Sequence, residues 1–166
     1  MLKEKLGLEK YEDLQESDNL IYKSLEIANI LFRHDTDKGG LPYLLHLMYV
    51  YRHVDSITEK CIALLHDVIE DKKVTKEELI DIGFSKEIVD AVCILTRVKP
   101  IEYNDYIDNI IKYGSKEALR VKLADLKNNM DLTRIKNPSL KDYERVEKRY
   151  TPSYEKILQR LEEMEK

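Results

Sequence analysis

The stretch Cys61-Ile62-Ala63-Leu64-Leu65-His66-Asp67-Val68-Ile69-Glu70-Asp71 decides how this chain folds. Five apolar residues in a row cover a helix on most sides, so such a helix belongs inside a bundle rather than on its surface. The same segment then places one histidine and three carboxylates between positions 66 and 71. Burying such groups is costly unless something pairs with them, and a bound cation is an economical partner. Read as one helix from about Ser56 to Glu70, the segment stacks residue 66 on 70 and 67 on 71. The four polar side chains then share one broad face.

Working outward, the rest of the chain reads as further helices joined by short connections. A long helix is expected from about Ser17 to Phe32, with Leu20, Leu25, Ile27, Leu31 and Phe32 as its apolar surface. The loop HDTDKGGLP (34–42) stops it, and a second helix opens near Pro42, which suits a first-turn position. Thr75-Lys76-Glu77-Glu78 has the spacing of a capping box and starts a short helix that Gly83 ends. Ser85 caps the next, through Leu95, and Tyr103 to Tyr113 forms another, closed by Gly114. Ser115 to about Leu132 carries Leu119, Leu123, Leu126 and Met130 at three- and four-residue spacing. Beyond Pro138 come one or two charged helices that Thr151-Pro152 is placed to interrupt. No alternating strand pattern and no internal repeat is found, so the fold class is all-α, a single compact helical bundle. Residues 1–16 form an N-terminal extension or short helix, 17–138 the main domain, and 139–166 a charged helical segment packed on it.

The chain has 166 residues, 43% apolar and 36% charged, with only 5 Gly and 4 Pro, the composition of one strongly helical domain. A net charge of −4 offers no global attraction for nucleic acid or an anionic membrane, so an anionic ligand needs local positive charge or a metal. The start, MLKEKLGLEKYEDLQESDN, lacks the apolar centre of a signal peptide, and no apolar run approaches a membrane span. Cys61 and Cys93 lack CxxC spacing and read as free core thiols, which points to the cytoplasm.

Two distant segments bear on His66 and Asp67. His46 lies 20 residues before His66, inside the apolar helix PYLLHLMYVY, where a lone histidine is more often a hydrogen-bonded core residue than a ligand. Asp125 lies 58 residues after Asp67, in VKLADLKNNMD, on a strip with Asn129 beside the apolar stripe. Alone, that strip is an ordinary polar boundary, and His66-Asp67 alone is a helix-end ion pair with Lys72 or Lys73. Together they give two imidazoles and two carboxylates, the ligand types of a mixed nitrogen and oxygen metal site. His34, in a polar loop, and His53, at a surface or boundary, need no special role.

These segments carry a family resemblance. DKGGLPYLLH, ALLHDVIED, the TKEEL…GF block, LTR and VKLADLKNNMD occur in the order seen in HD-domain metal-dependent phosphohydrolases. Within that family the chain resembles the hydrolase domain of the RelA/SpoT-type (p)ppGpp enzymes and their stand-alone small relatives. The resemblance implies metal ligands His46, His66, Asp67 and Asp125, a catalytic acidic pair Glu70 and Asp71, and substrate contacts from Lys38 and Asn129. It further implies Mn²⁺ as the divalent metal, with Fe²⁺ or Zn²⁺ as alternatives, and hydrolysis of guanosine 3′,5′-bis(diphosphate) at its 3′-pyrophosphate, a stringent-response activity. Another nucleotide or NADPH as substrate, or a non-catalytic nucleotide-binding module, stand as alternatives, and an oligomer is left open. The chain departs from the pattern at Leu47, where proline is usual, at Asp37, where arginine is common, and at Asp131 and Leu132, where arginine and threonine are common. Asp37 is expected to place negative charge beside a polyanionic substrate and weaken its binding.

Overall fold

Ile57–Leu65 (α5) runs through the middle of the structure, and every residue from Cys61 to Leu65 is buried. The computed structural model describes the whole chain, residues 1–166. Around α5 pack α3 (Leu20–Phe32), α4 (Leu44–Arg52), α8 (Lys86–Leu95) and α10 (Lys116–Met130), which is why this helix needs no polar face. Full burial of side chains such as Leu64 and Leu65 contributes about 1.5–3 kcal/mol each. Its start is fixed by a capping box: Ser56 accepts from the Glu59 N–H, and the Glu59 carboxylate accepts from the Ser56 N–H. Glu59 is itself buried, which would raise its pKa. Arg120 at 2.9 Å and the backbone donors of Ser56 and Asp55 outweigh that and keep it lowered.

The all-α class expected from the sequence is what the structure has; pairing outside helices amounts to one isolated bridge, Thr36 with Pro42. No helix is long and apolar enough to cross a membrane. Residues 1–16 form α1 (Leu2–Leu6) and α2 (Leu8–Glu16), and Leu2 and Leu14 are fully buried in the same core as the rest. The cap of α3 is Asn19, whose side chain accepts from the Tyr22 N–H at 2.9 Å, so this helix begins later than Ser17. Pro42 does not open α4; it closes the 36–42 loop through its bridge to Thr36, and the helix starts at Leu44. Next come α6 (Val68–Lys72), α7 (Lys76–Asp81) and α9 (Tyr103–Tyr113). Thr75 and Glu78 make the expected capping box on α7, and Gly83 takes φ +99 after it. The buried Lys23 reaches across to cap the Ile82 carbonyl at 2.6 Å.

The C-terminal segment is α11 (Leu140–Arg145), a π-turn over Val146–Tyr150, and α12 (Thr151–Glu165), which packs on α10. Thr151-Pro152 does not break the chain's course. Pro152 lacks the N–H that would close an ordinary helical bond to residue 148, and the wider π-turn absorbs that loss without a stop.

Candidate metal centre

His66 and Asp67 do not lie within one helix, contrary to the sequence-based reading of a single helix to Glu70. α5 ends at Leu65, Asp67 leaves helical geometry at φ −102°, ψ −3°, and α6 begins at Val68. In an unbroken helix adjacent side chains diverge by about 100°. The break turns both toward one point, so that His66 Nε2 and Asp67 Oδ2 are 3.0 Å apart. α4 delivers His46, whose Nε2 lies 3.9 Å from Asp67 Oδ2, and α10 delivers Asp125, whose Oδ1 lies 3.3 Å from His46 Nε2 and 3.9 Å from His66 Nε2. One donor atom each from His46, His66 and Asp125 fits within 4.8 Å of the others, and all three residues are buried.

Both imidazoles have the tautomer that a ligand needs. His66 Nδ1 faces the Ala63 carbonyl and His46 Nδ1 faces Asn128 Oδ1, both at 2.8 Å. An oxygen of this kind accepts, so Nδ1 carries the proton and Nε2 keeps its lone pair toward the carboxylates. His66 Nε2 is buried and has no hydrogen-bond partner, an arrangement that a cation at this point would satisfy. Two imidazole nitrogens with carboxylate oxygens suit a divalent transition ion. The residues present therefore fit a metal.

Without a metal, the same carboxylates favour a proton on His66 instead, a charge that a bound cation would replace. Burial would lower the His66 pKa, but Asp67 and Asp125 outweigh it and raise it to about 9. Burial works against Asp125 as well, yet Lys122 at 2.8 Å, together with His46 and His66, holds its carboxyl well below the usual range. Asp67 is lowered too, mainly by His66 against the cost of burial. Its Oδ2 accepts from the Tyr43 hydroxyl at 2.5 Å, and Asn129 donates to Asp125 Oδ1 at 2.6 Å.

The centre forms the floor of a cleft of about 360 Å³. Glu70 lines it and accepts from the Arg97 N–H at 2.9 Å. Asp71, its expected partner, is exposed and does not line the cleft; desolvation, with Asp67 and Glu70 nearby, raises its pKa. Lys38 stands at the mouth, its Nζ 3.6 Å from Asp142. Asp37 lines the cleft, but both of its carboxylate oxygens are engaged. One of its oxygens accepts from the N–H groups of Gly39 and Leu41, and the other pairs with Arg134 at 2.8 Å. Gly39 is required there, since a Cβ would sit 2.3 Å from the Arg134 carbonyl oxygen.

Sequence reasoning missed much of the wall. Tyr43, Arg97 and Asn128 lie in the segments that carry the resemblance but hold no role in the sequence-based reading, and Arg134 lies outside them; Val121, Asp125 and Asn128 follow a buried four-then-three spacing that marks Asn128 as interior, behind the wall. Tyr103 and Tyr106 enter from α9, and the C-terminal segment supplies Asp142, Arg145, Val146 and Tyr150. The extra residue in the π-turn shifts the helix register between Arg145 and Tyr150, and both face the cleft.

Comparison with known proteins follows the same lines. No protein-family model matches the chain. It is 37% identical over 84 residues to a probable guanosine-3′,5′-bis(diphosphate) 3′-pyrophosphohydrolase of Mycoplasma pneumoniae, a stretch covering 48% of this chain and 11% of that protein. It is 32% identical over 82 residues to a guanosine-3′,5′-bis(diphosphate) 3′-pyrophosphohydrolase of Borreliella burgdorferi, covering 47% of this chain and 12% of that one. The matched stretches thus span about a tenth of these relatives. A solved structure, described as a metazoan ortholog of SpoT that hydrolyzes ppGpp and plays a role in starvation responses, matches with a TM-score of 0.71 at 24% identity. The match covers 87% of this chain and 86% of that one. That likeness shows the fold. The chain resembles the HD-type hydrolase domain of the RelA/SpoT enzymes.

Proposed function

We propose that this chain is a metal-dependent hydrolase of a phosphorylated nucleotide, and that guanosine 3′,5′-bis(diphosphate) is its substrate, cleaved at the 3′-pyrophosphate. The observation that carries this reading is the meeting of His46, Asp67 and Asp125 on the floor of a nucleotide-sized cleft, with His66 buried against Asp67 and Glu70 on the wall. The names of the relatives support the choice of substrate.

His46, His66, Asp67 and Asp125 would hold one divalent ion, Mn²⁺ before Fe²⁺ or Zn²⁺. When bound, the ion supplies positive charge that acidifies water and offsets charge on phosphoryl oxygens. The water oxygen bonds to the phosphorus attached to O3′, the P–O3′ bond breaks, and its electron pair leaves with O3′. Glu70 takes the proton that water loses, held for this by the Arg97 N–H, and a proton is returned to O3′. One water is consumed, and the products are pyrophosphate and the 5′-diphosphate. Tyr43 fixes the rotamer of Asp67, and Asn129 fixes that of Asp125. Asp71, off the wall, acts through its charge on Asp67 and Glu70. Lys38 meets nucleotide phosphates at the mouth, and the rings of Tyr103 and Tyr150, tilted 59° to each other with centroids 6.4 Å apart, offer aromatic surface for a base. With Cys61 and Cys93 free, we place the protein in the cytoplasm.

The test is a screen of phosphorylated nucleotides with Mn²⁺, read by product identity. Pyrophosphate released from the guanosine 3′-pyrophosphate is the expected result. Inorganic phosphate from another nucleotide or from NADPH moves the substrate assignment, and nucleotide binding without turnover makes the chain a binding module.

A further inference from the structure

The five cations that line the cleft are not equivalent. Lys122 pairs with Asp125 and Arg134 with Asp37, both at 2.8 Å. Asp142 lies 3.6 Å from Lys38 and 3.3 Å from Arg145, so one carboxylate serves both. Arg97 has no carboxylate within salt-bridge distance. Its Nε is buried without a hydrogen-bond partner. Arginine keeps its charge throughout the physiological pH range, and a guanidinium donor removed from water with no acceptor is costly. Arg134 has a buried, unpartnered Nε as well, but its terminal nitrogens are engaged by Asp37 and the Asn128 carbonyl; what sets Arg97 apart is that no carboxylate meets its guanidinium.

The position of residue 97 narrows what is missing. Its backbone N–H holds the Glu70 carboxylate at 2.9 Å, while its side chain lines the cleft. Residue 97 therefore joins the Glu70 carboxylate to the wall of the cleft. Resting on the hydrolase reading above, we infer that Arg97 is the phosphate-binding residue for the transferred pyrophosphoryl group. The guanidinium fork matches two oxygens of a phosphate, and its charge, unlike that of the paired cations, is shared with no protein carboxylate; Lys38, on its longer 3.6 Å contact with Asp142, would add a contact at the mouth. As the P–O3′ bond breaks, the group passing to water stays in contact with Arg97 and departs as pyrophosphate. Arg97 thereby favours a terminal pyrophosphate over a neutral or singly charged leaving fragment.

The experiment uses the full chain loaded with Mn²⁺, as wild type, Arg97→Gln, Arg97→Lys and Arg97→Met. Inorganic pyrophosphate is titrated calorimetrically at two salt concentrations, and turnover of guanosine 3′,5′-bis(diphosphate) is measured alongside. Arg97→Gln is expected to weaken pyrophosphate binding by at least about 10-fold and to flatten its salt dependence, with bound Mn²⁺ unchanged. Arg97→Lys restores charge without the fork and should recover only part of the loss. Arg97→Met keeps the packed stem and gives the same reading should the glutamine variant not fold. A folded, Mn²⁺-loaded Gln or Met variant that binds pyrophosphate within about threefold of wild type overturns the inference, as does a wild type that binds none. If wild type fails to cleave the guanosine nucleotide yet its pyrophosphate binding still depends on Arg97, the substrate reading falls and the Arg97 assignment stands.

Discussion

Replacing Asn128 by leucine tests the metal centre without touching a ligand. Asn128 is 2% exposed and His46 5%, so no water can take over the 2.8 Å contact between Asn128 Oδ1 and the His46 Nδ1 proton. Leucine keeps the branched shape, though not the volume, and removes the acceptor. The buried N–H is then unpaired, at a cost of about 1–3 kcal/mol, or the proton moves to Nε2 and the nitrogen facing the carboxylates stops being a ligand. Either response weakens the metal-ready form. Outer partners of ligand histidines typically contribute about 10–100-fold in metal affinity, or about 1.4–2.8 kcal/mol. The same amount should vanish from the stabilisation that saturating Mn²⁺ confers. Competition against a chromophoric chelator gives the affinity, and thermal unfolding with and without Mn²⁺ gives the linkage. A folded Asn128→Leu protein with Mn²⁺ affinity within about threefold of wild type would falsify the argument that Asn128 sets the His46 tautomer.

Three further outcomes are expected. In chelator, His66 with its pKa raised from 6.5 to about 9 stabilises the fold fully below pH 6.5. That contribution, on the order of 3 kcal/mol, is lost as pH rises through 9. With Mn²⁺ the trend over that window should reverse, because the ion needs the neutral ring; urea melts from pH 6 to 9.5 decide, and a flat metal-free profile refutes the His66–carboxylate coupling. Asp37→Arg should raise KM and cost about 1–3 kcal/mol, since it unties the 37–41 loop and strands Arg134. A lower KM would return Asp37 to its sequence-based role as a repulsive charge. Glu70→Gln should keep Mn²⁺ and lose about 10²–10⁴ in turnover, measured by pyrophosphate release, and unchanged turnover would remove Glu70 from the chemistry.

The helices were legible wherever a cap and an apolar period agreed. Thr75 and Ser85 each accept the third residue's N–H as expected, Ser115 does the same at the start of α10, and Tyr103–Tyr113 has the bounds expected. The apolar run at 61–65 correctly marked the buried helix. Its continuation through His66 was misread because periodicity cannot register one residue leaving helical geometry, and Asp67 does so to meet His66. Asp37 was misread for a different reason. Its sign was visible in the sequence, but its partner lies 97 residues away, and only the fold brings Arg134 to it. The wall from 142 to 150 was hidden in a charged tail whose composition looks like any solvated helix.

The division between floor and wall bears on how such a protein diversifies. The four side chains proposed to hold an ion come from α4, the α5–α6 junction and α10, locked together by the core, whereas Asp142, Arg145, Val146 and Tyr150 belong to one contiguous stretch. A chain cut at Pro138 would keep every proposed ligand but lose one side of its cleft and the core residues Ile157 and Leu161 of α12. Mutations confined to that stretch can retune which molecule is admitted while the hydrolytic apparatus is inherited intact, so selectivity and reactivity are free to evolve on separate segments of one polypeptide.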